Sequence, residues 1–259
     1  MKMDISWRFV RVWQRNLAVY RTSWKINFLP PFLEPLFYLV AFGVGFSGLI
    51  GSIHYGTTRV SYVSFIAPAL VAINIMNNAF FESTYGSFVR MYYQKTFDAM
   101  MSTPLNAEEI IIGEIVWGAT KSVIGTAIML VVISFFGLVS YPVALLILPV
   151  AFLGGIAFGA AGMCFTAVVK TIDLFNLPVF LFVTPMFLFG GTFFPLSSLP
   201  HWAQQVALVL PLTHLVNVVR ALNYGIFNQD VVIGLCYLIV FSLITLPLAL
   251  FKMQRRLIK

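Results

Sequence analysis

Six stretches of about twenty predominantly apolar residues recur along this 259-residue chain, and they limit its fold more than any other feature. One helical bilayer crossing needs about 20 such residues to cover roughly 30 Å of hydrocarbon. Inside lipid every backbone N–H and C=O must be satisfied within the protein, so the crossings have to be helices. The pattern predicts an all-α membrane protein with spans at 29–51, 62–81, 112–137, 143–168, 174–194 and 231–251. Composition agrees: 60% of residues are hydrophobic and only 10% charged. No polar segment is long enough to form a compact soluble catalytic domain, so 1–259 reads as a single membrane domain.

The basic residues set the expected sidedness. Six precede the first span, Arg90, Lys95 and Lys170 fall in two loops, and four follow the last span. Only Arg59 and Arg220 fall on the other side. Cytoplasmic loops carry the excess of Lys and Arg, which places both termini in the cytoplasm. The same rule accounts for the net charge of +7 without nucleic acid as a partner. Residues 1–28 lack a short apolar core with a small-residue cleavage site, so no cleavable signal is expected. At 100° per residue Phe9, Trp13, Leu17, Tyr20 and Trp24 share one helical face, with Arg8, Arg11, Arg15, Arg21 and Lys25 opposite. That is the pattern of an interfacial amphipathic helix against membrane lipids.

Residues 199–224 are apolar enough to suggest a seventh span. They also carry Gln204, Gln205, His214, Asn217 and Arg220, and Pro211 cuts them in two. A seventh crossing would put the basic end "KMQRRLIK" outside. An external re-entrant helical hairpin between spans 5 and 6 fits better.

The anomaly is "FESTYGSFVRMYYQKTFDAMMSTPLNAEEIIIGE", Phe81 to Glu114, which holds five of the nine acidic residues. Residues 82–111 are expected to be a cytoplasmic loop carrying a short amphipathic helix. Tyr93, Phe97, Met100 and Met101 would line one face, and Thr103-Pro104 would end it. Asn106 with Glu109 has the spacing of a capping box for the next helix. Two readings of the short helix stand: a solvated segment resting on headgroups, or a knob on which a cytoplasmic protein docks.

"FESTYGSFVRMYYQKTFDAMMSTPLNAEEIIIGEIVWGATKS", together with "VTPMFLFGGTFFPLSSLPHWAQQVALVLPLTHLVNVVRAL", resembles the permease subunits of type-2 ABC transporters. It is most similar to the branch that includes the nodulation-factor export permeases of rhizobia. The resemblance covers essentially the whole chain. It implies a homodimer in the bacterial inner membrane, paired with two ATP-binding subunits, that exports an amphipathic cargo. It also implies a coupling helix between spans 2 and 3, with Tyr92, Tyr93, Lys95, Thr96, Phe97, Asp98 and Met101 as the docking residues. ATP and magnesium would belong to the partner subunit, because this chain has no G-x-x-x-x-G-K-[ST] phosphate loop.

Charged groups inside spans are costly, which makes them functional candidates by default. Glu114 and Lys121 lie seven residues apart on one face of span 3. They read either as a pair that holds span 3 in the bundle or as the lining of a vestibule for a polar headgroup. Glu34 in span 1 carries the same two readings. Asn74, Asn77 and Asn78 are expected to hydrogen-bond between helices, and Gly155 and Gly159 to allow close packing. Pro178, Pro185 and Gly190-Gly191 interrupt the aromatic span 5, whose Phe182, Phe187 and Phe189 are candidates for the cargo pathway. Cys164 and Cys236 read as buried small hydrophobes, and His54, His201 and His214 are too scattered for a metal site. An ion-driven transporter would need acidic relays and usually inverted repeats; a lipid-modifying enzyme would need convergent catalytic groups. Neither pattern is recognisable.

Overall fold

A computed structural model describes residues 6–45, 52–55 and 58–258 of the chain. Among these residues the structure is helical apart from loops and a small antiparallel hairpin, β1 (Ser52–Tyr55) and β2 (Thr58–Ser61), that pairs Ile53 with Val60. The sequence reading did not anticipate it.

The N-terminal segment forms α1 (Phe9–Thr22) and then, after a break at Ser23, α2 (Trp24–Gly45). Val12 and Asn16 are the buried residues of α1. A Cβ on Gly113 would lie 2.6 Å from the Val12 Cβ, so a glycine is what lets α1 approach this closely. Trp13 donates to the Thr120 hydroxyl at 2.9 Å, and the Tyr20 and Trp117 rings meet edge to face. The aromatic face of α1 is thus turned against protein. α2, which holds most of the expected first span, starts at Trp24, and the span's expected end, 46–51, lies outside the described residues. Lys25, Asn27, Glu34 and three internal prolines dilute the apolar character of α2.

Among the described residues five helices are long and apolar enough to cross a membrane. They are α3 (Tyr62–Tyr93), α5 (Ala107–Phe135), α6 (Val143–Thr166), α7 (Ile172–Phe189) and α10 (Gln229–Leu257). Between α3 and α5 lies the short α4 (Thr96–Met101). Between α7 and α10 lie α8 (His201–Val209) and α9 (Pro211–Asn223), which meet at 87°, so residues 199–224 do not form a straight helix. Pro211 is the first residue of α9, where its missing N–H is harmless, and Leu210 before it is extended.

The largest departure from expectation is in α3. Ser61 caps it by accepting from the Ser64 N–H at 3.2 Å, but the helix does not stop at Phe81. It continues through two π-helical turns, Glu82–Gly86 and Val89–Tyr93. Lys95, with φ of 54°, then turns the chain into α4. The expected loop is largely a helical extension, and only Thr96–Met101 remains as a separate short helix. The capping box at the start of α5 is present, with Glu109 accepting from the Asn106 N–H at 3.0 Å.

α3, α5 and α6 pack on one another, with α9 against α3 and α10 against α6. A Cβ on Gly155 would fall 2.5 Å from the Ala119 Cα, so α5 and α6 touch backbone to backbone. A second apolar cluster gathers where the α3 extension, α4, the start of α5 and the end of α10 meet. Phe88, Phe97, Ile111, Phe175 and Met253 are buried in it. Cys164 and Cys236 are both free, and Cys236 is exposed rather than buried. It lies off the narrow stripe of α10, Val231, Gly234 and Leu238, that faces protein.

Candidate functional site

Carrying α3 past Phe81 brings two unanticipated charges, Glu82 and Arg90, against α5. Glu114 and Lys121 do share a face of α5, but they do not pair with each other. Arg90 bridges the two acids, 2.8 Å from Glu82 and 2.5 Å from Glu114. Lys121 reaches the other Glu82 oxygen at 2.8 Å, and the Trp117 indole donates to Glu82 at 3.2 Å. Glu114 is completely buried (0% exposed). Its remaining partners are the Ser87 hydroxyl at 2.8 Å and the Asn16 amide of α1 at 2.9 Å. Two acids and two bases thus form a neutral row, Lys121–Glu82–Arg90–Glu114, in which every carboxylate has two or more donors. Such pairing is what makes buried charge tolerable.

The row continues outward through α1. Arg15 donates to the Asn16 side-chain Oδ1 at 2.9 Å and reaches the Thr96 hydroxyl at 3.5 Å. Burial lowers the Arg15 pKa and Arg90 adds to the effect, with the Glu114 carboxylate working against both. Arg8 donates to the Pro104 carbonyl at 2.8 Å, so α1 also holds the turn that follows α4.

Two hollows adjoin this row, and a third along α2 adjoins the second of them. One, of about 420 Å³, opens at the break between α1 and α2 and is lined by Arg15, Asn16, Ser23, Asn27, Glu82 and Lys121 among others. A second, of about 250 Å³, shares Glu82 and Lys121 with it and adds Asn74, Asn77, Asn78, Pro30 and Glu34. The third, of about 510 Å³, shares Pro30 and Glu34 and is otherwise walled by Leu29, Leu33, Phe37, Tyr38 and Ala41. The series runs from ionic through amide-lined to apolar. Among the described residues these asparagines make no hydrogen bond to another helix; the Asn78 amide donates to the Asn74 side chain at 3.0 Å within α3.

The family model described as ABC-2 type transporter matches residues 8–224. The chain belongs to that family. Nodulation protein J of Rhizobium leguminosarum bv. trifolii is 33% identical over 98% of this chain and 95% of its own length. The Sinorhizobium fredii protein of the same name is 31% identical over 97% and 95%. The inner membrane transport permease YadH of Escherichia coli is 24% identical over 92% of each chain. The chain is accordingly a multi-pass ABC transporter permease.

In this permease the expected docking residues separate into three groups. Tyr92 and Tyr93, at the tip of α3, are 52% and 59% exposed, and Lys95 and Asp98 are exposed beside them. Thr96 and Met101 are half-buried. Phe97 is 0% exposed, locked into the second apolar cluster, and is therefore a core residue unavailable to a partner. A six-residue helix must bury one face to be held at all, and Phe97 and Met100 form that face.

The expected pathway residues also separate. Glu34 and Lys121 line hollows, whereas Glu114 lies beneath them. On α7, Phe182 packs against Phe80 and Phe165, Phe187 against Phe193, and Phe189 against Trp202. None of the three lines one of these hollows among the described residues. Among the described residues no three His, Cys, Asp or Glu side chains gather as a metal would require. His214 bonds the Leu208 carbonyl at 2.8 Å and stacks on Tyr237.

Sequence reasoning missed Glu82 and Arg90 because it ended the span at the first charged residue. The available signal was spacing: Glu82, Gly86 and Arg90 recur every four residues, so a continued helix brings them close to one side.

Proposed function

We propose that this permease exports an amphipathic cargo, such as a lipid-linked glycan, a lipo-oligosaccharide, a lipid or a hydrophobic drug, across the bacterial inner membrane. The observation that carries this reading is the polar-to-apolar series of hollows. A charged or hydroxyl-rich headgroup suits the part around Lys121, Glu82 and the asparagines. An acyl chain suits the part walled by Leu33, Phe37 and Tyr38.

The energy comes from a separate ATP-binding subunit, which holds the ATP and magnesium. It docks on Tyr92, Tyr93, Lys95 and Asp98 at the cytoplasmic face, with Thr96 and Met101 at the edge of the contact. Two copies of this chain and two of the ATPase form the working unit. Both termini are cytoplasmic in this reading, which the distribution of basic residues supports. α1 lies at the membrane surface and the α8–α9 elbow on the external side. The row from Lys121 to Thr96 links the docking surface with the hollows, so movement of the tip reaches the cargo.

The test is co-expression with a candidate ATP-binding subunit from the same genome, followed by reconstitution in liposomes. A lipid-linked oligosaccharide is expected to raise ATP hydrolysis, and the same oligosaccharide without its lipid is not. Lys121→Ala is expected to blunt that stimulation while leaving basal hydrolysis in place. Equal stimulation by the free oligosaccharide would overturn the amphipathic assignment. Failure of any ATPase to copurify would overturn the coupling assignment.

A further inference from the structure

A second polar concavity lies away from the hollows, where the ends of α3, α6 and α10 come together. It encloses about 580 Å³ and is lined by Tyr92, Ala167, Val168, Lys170, Lys252, Arg255 and Arg256. Among the described residues no carboxylate lines it, and four cations face one space. Arg256 is already occupied: its guanidinium donates to the carbonyls of Thr166 and Val169 at the end of α6 and sits over the Phe88 ring. Lys170, Lys252 and Arg255 are exposed, and among the described residues none of them is in an ion pair. Arg255 is held with its guanidinium 4.2 Å from the Phe251 ring, which limits where its charge can point.

The geometry points to a binding site for the phosphate of an anionic phospholipid headgroup. Placement favours a lipid over a soluble ligand. Lys252 directly follows the apolar stretch of α10, and Lys170 stands just beyond the end of α6. Both charges therefore stand where hydrocarbon gives way to headgroups, and outward-facing Val168 and Phe251 offer apolar surface beside them. Basic pockets between spans at the cytoplasmic side match anionic headgroups in charge and depth. The site depends on the proposed function only for which leaflet supplies the lipid. Because Tyr92 belongs both to this site and to the docking tip, a bound lipid would stiffen the surface that receives the ATPase.

The test uses the purified full chain in mixed micelles with equal amounts of dioleoylphosphatidylglycerol and dioleoylphosphatidylcholine, counting retained lipids by native mass spectrometry. Preferential retention of phosphatidylglycerol is expected. K252Q with R255Q should reduce that preference at least about fivefold, the equivalent of the roughly 1 kcal/mol that one basic side chain contributes near an anionic surface. Should that pair fail to fold, K170Q measured the same way should reduce the preference. R11Q with R21Q, on the exposed face of α1, should leave it intact. An unchanged preference in K252Q/R255Q, or an equal loss in the α1 pair, would show diffuse charge rather than a site. Displacement by excess inorganic phosphate would show a free-anion site. Retained lipid with lost ATPase copurification would give the surface to the protein partner. Each lipid measurement is made on the chain alone, so it stands whether or not an ATPase is found.

Discussion

Two helices that sequence reads alike, α3 and α7, are used in opposite ways. Both are apolar, aromatic and long enough to cross a bilayer, yet 78% of the apolar window of α3 is buried inside the chain and only 22% of that of α7. α3 is the post around which α5, α6 and α9 assemble, and it carries the ionic row on its extension. α7 touches the bundle through Val183, Met186 and the Phe182 stack and turns Phe180, Leu181 and Leu188 outward. Hydropathy reports that a helix leaves water; it does not report whether its neighbour is protein or something else. A helix such as α3, buried on all sides, is governed by steric fit and polar satisfaction. One such as α7, covered on one side only, leaves its outer face to lipid or to a second copy of the chain.

Substitutions should therefore separate these two regimes. The most damaging is expected to be Phe97→Asp at the foot of the α3 extension. Truncating a buried aromatic costs about 3–5 kcal/mol, and an unpaired buried carboxylate adds to that. The purified protein should lose its monodisperse peak in size-exclusion chromatography. A stable, monomodal Phe97→Asp protein would sink the assignment of this residue to the core. Next comes Arg90→Ala, which strips Glu114 of its only ion-pair partner among the described residues and leaves Glu82 with Lys121. Removing one member of a buried pair costs about 3–5 kcal/mol, toward the lower end here because Asn16 and Ser87 still bond Glu114. Thermal unfolding in detergent would register this, and an unshifted midpoint would mean that the row is not closed. Gly155→Val should cost about 1–3 kcal/mol by forcing α5 and α6 apart at Ala119. The same assay reads it. The smallest effects belong outside: Phe180→Ala and Tyr93→Ala should each stay within about 0.5 kcal/mol in stability. Tyr93→Ala should nevertheless reduce ATPase copurification, and an unfolded Tyr93→Ala chain would contradict its exposed position.

Local signals in the sequence survived into the structure, and distant ones did not. The capping box of Asn106 and Glu109 and the break at Pro211 were legible because each depends on neighbours within four residues. The continuation of α3 was not, since Glu82 looks prohibitive in a span until Lys121, 39 residues on, neutralises it. Phe97 was misplaced for a related reason. Its amphipathic pattern correctly marks a face that must be covered, but periodicity cannot say whether the cover is a partner protein or the chain's own Phe88 and Met253. The candidate site shows the same division: Glu34, Glu114 and Lys121 were visible as costly charges, whereas the residues that make them affordable were found only in three dimensions.

The uninterrupted course of α3 also has a mechanical meaning. Its 32 residues make a rod of about 48 Å at 1.5 Å per residue. One end is a pair of exposed tyrosines and the other abuts the β-hairpin. A push delivered at Tyr93 reaches Tyr62 through one continuous helix. The two π-helical turns, where the winding is loosest, are the places where such a rod would flex and convert thrust into twist.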